Sequence, residues 1–417
     1  MALSPVASSL PTPIWFSILV CALLYGQPAT IYAESMRVLL AQDIPHVEVR
    51  SDSDIVLIGS NGDARKVRTP ILVSVVGTAM GINGKRIVGD RIEVRPLQAG
   101  LSVTFPQALT SGNGTKTIGP ARLSDTTPSG GMPISGGVRI VLRGKGLSAI
   151  NLVDLEEYVK GVVPSEVSSS WHPEMLKVQA VAARTYALYN KMLSGAREYD
   201  VMSTTQDQVY RGRAGVDSRV EYAVDHTRGL VVTHRNAPIY AAFSSTAAGP
   251  TEDAINVWAK DLPYLKGVEC PFDLSSPYYQ WRVSVKIDHL ENNLRQQGFM
   301  VGTVVTMTPV AYSRAGRVTK LRILHSRGEL ILRGEDLRKA VGYTVIPSTQ
   351  FEVESVGTDI VFVGYGAGHA VGLCQWGAKE LAELGYPFMS ILHYYYPGTE
   401  LRNAALVPLS PPPNSFP

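Results

Sequence analysis

From Pro173 the chain reads PEMLKVQAVAARTYALYNKML. At 1.5 Å per residue this segment predicts a helix of about 21 residues, on the order of 30 Å long. Met175, Val178, Ala182, Tyr186, Tyr189 and Leu193 recur at three- and four-residue steps and make its main apolar stripe. Ala180, Val181, Ala183, Ala187 and Leu188 spread apolar surface over the remaining sides. A helix that is apolar nearly all round has to be enclosed by other elements, and its alanines let those elements approach closely. The pattern therefore predicts a central core helix. A chain of 417 residues, 45% of them hydrophobic, is long enough for two or three domains and an ample core.

Charge and hydropathy narrow the partners. With 39 basic and 36 acidic residues the net charge is +3, and no dense Lys/Arg stripe occurs. Nucleic acid is therefore not expected as a partner. No apolar run approaches the roughly 18 residues that a membrane span needs. The first 35 residues lack Lys and Arg, and Ile14 to Tyr25 (IWFSILVCALLY) is a compact apolar run followed by Gly26, Gln27 and Pro28. Residues 1–33 fit a secretory signal peptide, with an uncleaved anchor as the alternative and the sole expected membrane contact. An exported protein of the periplasm or cell wall is the expectation. Beyond residue 33 only Cys270 and Cys374 remain, compatible with one optional disulfide. CxxC, HExxH and paired Cys/His spacings are missing, so no metal or other cofactor is expected.

The elements around the long helix suggest an α+β fold. Residues 34–109 carry short β-rich runs (MRVLLA, VEVR, DIVLIG, ILVSVV, RIVGDRIEV) punctuated by Gly59, Asn61-Gly62 and Asn83-Gly84. Residues 110–137 are rich in Gly, Ser, Thr and Pro without periodicity and predict a surface loop. A main domain follows over 138–403, then a Pro-rich tail over 404–417, expected to be disordered. Asp154 can cap a short helix, DLEEYVKGVV, which Pro164 is expected to stop. VVTHR, IYAAFSST, WRVSVKI, VVTMTPV, VTKLRILH, FEVESV and DIVFVGYG read as strands; ENNLRQQGF, GEDLRKAVG, AKELAELGY and SILHYYYP read as helices.

Two stretches can carry chemistry. Glu166 lies between the two predicted helices in VVPSEVSSSW, beside Pro164 and Trp171. A carboxylic acid against apolar surface is held neutral and can donate a proton near neutral pH. Lys177 and Arg184 stand two turns apart on the long helix, and a buried guanidinium needs a partner, either Glu166 or a substrate. Cations near Glu166 would oppose the effect of burial. The second stretch, GYGAGHAVGLCQWGAKELAELGYPFMSILHYYYPGTEL, crowds Gly364, Gly366, Gly368, Gly372 and Gly377 around His369, Cys374, Gln375 and Trp376. Its glycines serve either a tight strand-to-helix turn or close approach of backbone to a ligand. Cys374 with His369 as thiol and base is a further reading, set against a buried free cysteine.

At LEEYVKGVVPSEVSSSWHPEMLKVQAVAARTYAL, TTQDQVYRGR, IYAAFSSTAAGPTEDAINVWAKDLPYLKGV and GHAVGLCQWGAKELAELGYPFMSILHYYYPGTEL the sequence resembles the SpoIID/LytB family, in the family's order. That family is named for a sporulation peptidoglycan lytic transglycosylase and an amidase modifier. The resemblance implies a mixed β-rich catalytic domain with inserted helices around a glycan-binding groove, preceded by a small β-rich region. It puts Glu166 on the catalytic glutamate and Lys177 and Arg184 on basic groove residues. Gln208, Tyr210, Ser244, Ser245, His369, Gln375 and Tyr395 fall on other motif positions. The implied partner is the glycan strand of peptidoglycan, cleaved between N-acetylmuramic acid and N-acetylglucosamine to a 1,6-anhydro product. The alternative is a non-catalytic glycan binder that stimulates a cell-wall amidase. Some sporulation members bind zinc near the TTQDQVY stretch, but Val201 to Tyr210 holds neither Cys nor His here. Thr246 to Gly249 reads TAAG where the family tends towards Ser-Gly-Gly.

Overall fold

The computed structural model describes residues 34–98, 100–106 and 131–408. The expected signal peptide or anchor, most of the Gly/Ser/Thr/Pro-rich loop and the end of the Pro-rich tail lie outside the described residues. Eight α-helices occur among the described residues. They are α1 (Leu155–Glu166), α2 (Pro173–Ser194), α3 (Ser218–Asp225), α4 (Ala254–Trp258), α5 (Ile287–Gln296), α6 (Gly334–Val341), α7 (Gln375–Glu383) and α8 (Phe388–Tyr395).

The long helix α2 is the central core helix that its pattern predicts. From Met175 to Leu188 every residue but Lys177 is buried. Helices α1, α3, α7 and α8 and the strand Leu230–His234 pack around it. Pro173 opens it, where a missing N–H costs nothing, and the His172 side chain caps Glu174 N. No helix among the described residues is long and apolar enough to cross a membrane.

Residues 34–104 are β-rich as expected and the fold is α+β. A seven-stranded sheet runs in the order Val201–Met202, Ser35–Ile44, Gly146–Asp154, Gly137–Arg143, Arg91–Pro96, Ile55–Gly59, Ala64–Val67. Against it lies a six-stranded sheet, in the order Met132–Ile134, Leu101–Thr104, His46–Arg50, Ile71–Val76, Ala79–Ile82, Lys85–Arg86. Asn83 and Gly84, at φ 50° and 78°, make the two-residue hairpin between the strands ending at Ile82 and starting at Lys85. The strand Ser35–Ile44 sits between Gly146–Asp154 and Val201–Met202, so the N-terminal region and the main domain share one sheet and one core. A packing boundary at residue 137 is therefore missing. The stretch expected as a loop to residue 137 ends earlier, because Met132–Ile134 pairs with Leu101–Val103. In the expected tail, Ala404–Leu406 forms a 3-10 turn and Val407 is buried.

A second hydrophobic core, not anticipated as a separate unit, is built by residues between Trp281 and Phe362. It comprises two three-stranded sheets with α5 and α6. The chain enters it at Gln280 and leaves it at Tyr365, which pair directly. Arg317 and Ser313 of this unit reach back, Arg317 Nη2 donating to Ala247 O at 2.6 Å and Ser313 Oγ to Glu252.

Two local expectations are corrected. Helix α1 runs through Pro164 to Glu166 rather than stopping before it. A proline in the last turn forfeits a single hydrogen bond, and Val167 N still reaches Val163 O at 3.0 Å. In IYAAFSST only Phe243–Ser244 is strand, pairing in parallel with Leu373–Cys374.

Arg184 departs from the expected groove position. It has no exposed surface, and its guanidinium binds the Glu156 carboxylate through Nε (3.0 Å) and Nη2 (2.6 Å), with Leu230 O accepting from Nη1. The pair ties α1 to α2 and has nothing left to offer a ligand. Removing one partner strands a buried charge, so Arg184→Leu should lower unfolding stability in urea by about 3–5 kcal/mol. The double change Glu156→Leu/Arg184→Leu should recover much of that loss.

Candidate functional site

Glu166 is the last residue of α1, and the geometry around it starts with that helix. The Asp154 side chain caps α1, accepting from Glu156 N and Glu157 N at 2.9 and 3.3 Å. One turn in, Tyr158 stacks on Tyr210 with ring centroids 5.2 Å apart. Gly161 makes room for this contact: a Cβ there would lie 2.5 Å from the Tyr210 ring and 2.3 Å from Gly212 O. The Tyr210 hydroxyl donates to Asn151 Oδ1 (2.7 Å), and the Tyr158 hydroxyl donates to Gln208 Oε1 (3.0 Å). Both Gln208 and Tyr210 are buried. Between these two inward side chains the backbone N–H of Val209 turns outward and donates to Glu166 Oε1 at 2.8 Å.

Among the described residues the carboxyl of Glu166 is thus held by one hydrogen bond. Burial raises its pKa from 4.5 to about 7, and the Val209 N–H offsets only part of that rise. The competition between burial and cations is decided by where the cations go. Arg184 is spent on Glu156, and Lys177 binds Glu174 (2.7 Å) while lying over the rings of Tyr222 and Phe388. Neither basic residue neutralises Glu166. The result is a partly exposed carboxyl that exchanges a proton near neutral pH.

From the Val209 segment a row of aromatic side chains leads to the glycine-rich bend. Asp207 accepts from Met202 N (2.8 Å) and from the Tyr186 hydroxyl (2.9 Å). Tyr186 and Tyr189 lie 5.4 and 5.3 Å from Tyr240, Tyr240 lies 5.2 Å from Trp258, and Trp258 lies 4.9 Å from His369. Tyr189, Tyr240, Trp258 and His369 all keep part of their surface in solvent. Burial, reinforced by repulsion from Arg338 and Arg317, pulls the His369 pKa down to about 3, so its ring is neutral. Its Nδ1 accepts from Val371 N at 3.0 Å. A second bridge joins the Glu166 loop to the bend: Trp171 meets Trp376 edge-on at 5.1 Å, and Gln375 Nε2 donates to Gln179 Oε1 at 3.3 Å.

Among the residues singled out from sequence, Glu166 is linked to the bend bearing His369 and Gln375 through neighbours, by the Trp171–Trp376 contact and the Gln375–Gln179 hydrogen bond. Ser244 is buried and its hydroxyl accepts from Ala370 N, while the Ser245 carbonyl accepts from Trp376 N. Tyr395 is buried with its hydroxyl 3.2 Å from Cys270 Sγ. Gln208, Tyr210, Ser244 and Tyr395 therefore brace the loops. The Cys374–His369 pairing does not form: Cys374 Sγ turns to Asp273 Oδ2 (3.2 Å) and burial pushes its thiol well above its ordinary range. Sequence reasoning missed Asp207, Tyr240 and Trp258. No local pattern marks them, because they come from three separate segments. A cavity of about 430 Å³ lies elsewhere, at the C-terminal end of α2 beside Arg37 and Asp200.

Comparison with known proteins matches the sequence model of the Stage II sporulation protein family, SpoIID, at residues 143–234. A domain of unknown function, DUF8618, matches residues 259–372, which include the second core. Stage II sporulation protein D of Bacillus subtilis is 32% identical over 282 residues, covering 61% of this chain and 76% of that protein. An uncharacterised protein of Brachyspira hyodysenteriae is 34% identical over 254 residues, covering 60% and 67%. The amidase enhancer of Bacillus subtilis is 30% identical over 290 residues, covering 59% of this chain and 40% of that protein.

The raised pKa of Glu166 has a thermodynamic consequence. Between pH 4.5 and about 7 the folded protein binds a proton that the unfolded chain releases, so this group's contribution to stability is full below 4.5 and is lost as pH rises through 7. Glu166→Gln keeps an acceptor for Val209 N–H and removes the titration. The variant should gain on the wild type as pH rises from 4.5 to 7, by up to about 3 kcal/mol. Thermal melts of both proteins across that range check this; parallel curves would contradict it.

Proposed function

The chain belongs to the SpoIID/LytB family, and from that premise we propose that it is an exported cell-wall protein that cleaves the glycan strands of peptidoglycan as a lytic transglycosylase. The observation that carries this reading is the Glu166 carboxyl with a pKa of about 7 and no cationic partner among the described residues. Protonated, Glu166 donates to the oxygen joining N-acetylmuramic acid to N-acetylglucosamine. As carboxylate it then accepts the proton of the muramic C6 hydroxyl, whose oxygen closes on C1 to give the 1,6-anhydro sugar. A single group with a pKa near the working pH serves both half-steps. The internal hydroxyl replaces water, so no second catalytic carboxylate is required, unlike the paired-carboxylate glycosidases.

The remaining residues fit supporting roles. Val209 N–H holds the carboxyl in one orientation and stabilises it after proton loss. Tyr189, Tyr240 and Trp258 offer flat, partly exposed rings of the kind that cover sugar faces. The neutral His369 can hydrogen-bond sugar hydroxyls without attracting a counter-ion. Lys177 and Arg184 act through α2, holding their own carboxylates away from Glu166.

A second reading rests on the amidase enhancer among the relatives: the chain grips glycan strands and stimulates a separate amidase. Incubation with strands stripped of stem peptides, followed by mass spectrometry for anhydro-muramic ends, separates the two. Cleavage is expected, reduced about 100-fold or more in Glu166→Gln, with kcat/KM of the wild type falling above pH 7. Equal product from the two proteins would reject Glu166 as the acid. Binding without cleavage would favour the amidase partner. Trp258→Ala should raise KM roughly threefold to tenfold with little change in kcat.

A further inference from the structure

Away from Glu166, the two cysteines meet a buried carboxylate beside α7. The sulfurs of Cys270 and Cys374 and a carboxylate oxygen of Asp273 all lie within 4.8 Å of one another. All three residues are buried, Asp273 completely. From this geometry we infer that Cys270, Asp273 and Cys374 bind one divalent transition-metal ion, with zinc preferred by the thiolate-rich donor set.

Four observations converge on this. First, Asp273 Oδ2 is crowded, accepting from Ala247 N and Ala248 N (2.8 Å each) and from the Cys374 thiol (3.2 Å), while Oδ1 has no hydrogen-bond partner among the described residues. A fully buried carboxylate oxygen without a donor is costly unless something positive meets it. Second, Cys374 Sγ receives the backbone N–H groups of Ala247 (3.3 Å) and Gly377 (3.4 Å), donors that stabilise a sulfur carrying negative charge. Third, Cys374 Sγ lies 3.2 Å from Asp273 Oδ2, so the sulfur and the carboxylate are near enough to share one ion once the thiol proton leaves. Fourth, a cavity of about 240 Å³ lined by Gly249, Glu269, Cys270, Pro271, Asp273, Leu274 and Tyr279 reaches two of the three ligands, giving an entry path and room for a water as fourth ligand.

The charges balance. The ion displaces one proton from each thiol to solvent, and a divalent ion with two thiolates and one carboxylate carries a net charge of −1. The buried guanidinium of Arg317 supplies the compensating charge: it donates to Ala247 O, next to the Asp273 and Cys374 contacts, and its Nε and Nη1 have no partner among the described residues. A disulfide between Cys270 and Cys374 fits the site less well. It would remove the thiol proton that Asp273 accepts and leave the carboxylate facing two sulfur acceptors. The ligands are remote in sequence from Val201 to Tyr210, which holds neither Cys nor His.

The test uses the full chain, exported and purified without chelator. Elemental analysis should find one zinc per chain. After reduction and removal of the metal, titration with cobalt(II) should saturate at one equivalent, with a sulfur-to-cobalt charge-transfer band in the near ultraviolet and release of two protons per ion. Asp273→Asn should bind cobalt more weakly by more than the roughly 10-fold to 100-fold that loss of an outer-shell partner costs, while its metal-free melt stays close to that of the metal-free wild type. Cys270→Ser should abolish the charge-transfer band's full intensity. A Cys270–Cys374 disulfide in the purified protein, or cobalt bound without the band, or free thiols with no metal, would each overturn the assignment.

Discussion

The ion pair between Arg184 and Glu156 anchors everything described here. A helix with no exposed side from Met175 to Leu188, Lys177 apart, cannot carry an unpaired guanidinium, and α1 supplies the carboxylate that makes the burial tolerable. The pairing sets the position of α1 along α2. That position in turn decides where α1 ends, and α1 ends on Glu166. The structural pair and the chemical group are thus one helix apart: eight of the residues between Leu155 and Val163 are buried to hold the helix, and its last turn carries the partly buried Glu166.

Glu166 owes its chemistry to subtraction. Positive charge is plentiful nearby in sequence, but each cation has a carboxylate of its own. Arg184 goes to Glu156, Lys177 to Glu174, and Lys160 to Glu157 and Asp225. With those charges cancelled, burial is the dominant influence on Glu166, and one backbone N–H moderates it. The flanking side chains Gln208 and Tyr210 point inward to fix that N–H, which explains how core residues with no access to a ligand still shape the site.

The local chemistry of the chain was largely legible. The all-round apolar pattern marked α2, Asp154 and Pro173 marked two helix starts, and Asn83-Gly84 marked a hairpin, because each signal lies within a few residues of its effect. Glu166 is legible as a candidate for the same reason, lying beside Pro164 and between two helical patterns. What escaped depends on contacts distant in sequence. The partner of Arg184 is 28 residues away, and Trp258 meets His369 from another segment. Gln208 and Tyr210, placed at the groove by motif position, alternate inward because Gly161 opens a slot for the Tyr210 ring. Pro164 reads as a helix stop, although a proline in the final turn removes only one bond. The second core went unseen because its strands and helices carry the same local signals as those around them.

The neck of that second core has a consequence for how the two halves of the site stay in register. Gln280 and Tyr365 are cross-strand neighbours, and Trp281 Nε1 donates to Gly366 O just beyond the exit. The polypeptide therefore leaves and returns at nearly the same point. For the rest of the molecule the whole excursion behaves as a short closed link, and the entropy of bringing its ends together is met within the excursion's own sheet. The bend bearing His369 is as tightly tethered to Tyr279 as if a few residues joined them. The excursion also holds the bend directly, Pro347 O accepting from Gly368 N at 2.9 Å, so replacing it beyond the neck would loosen the bend as well as change its surroundings.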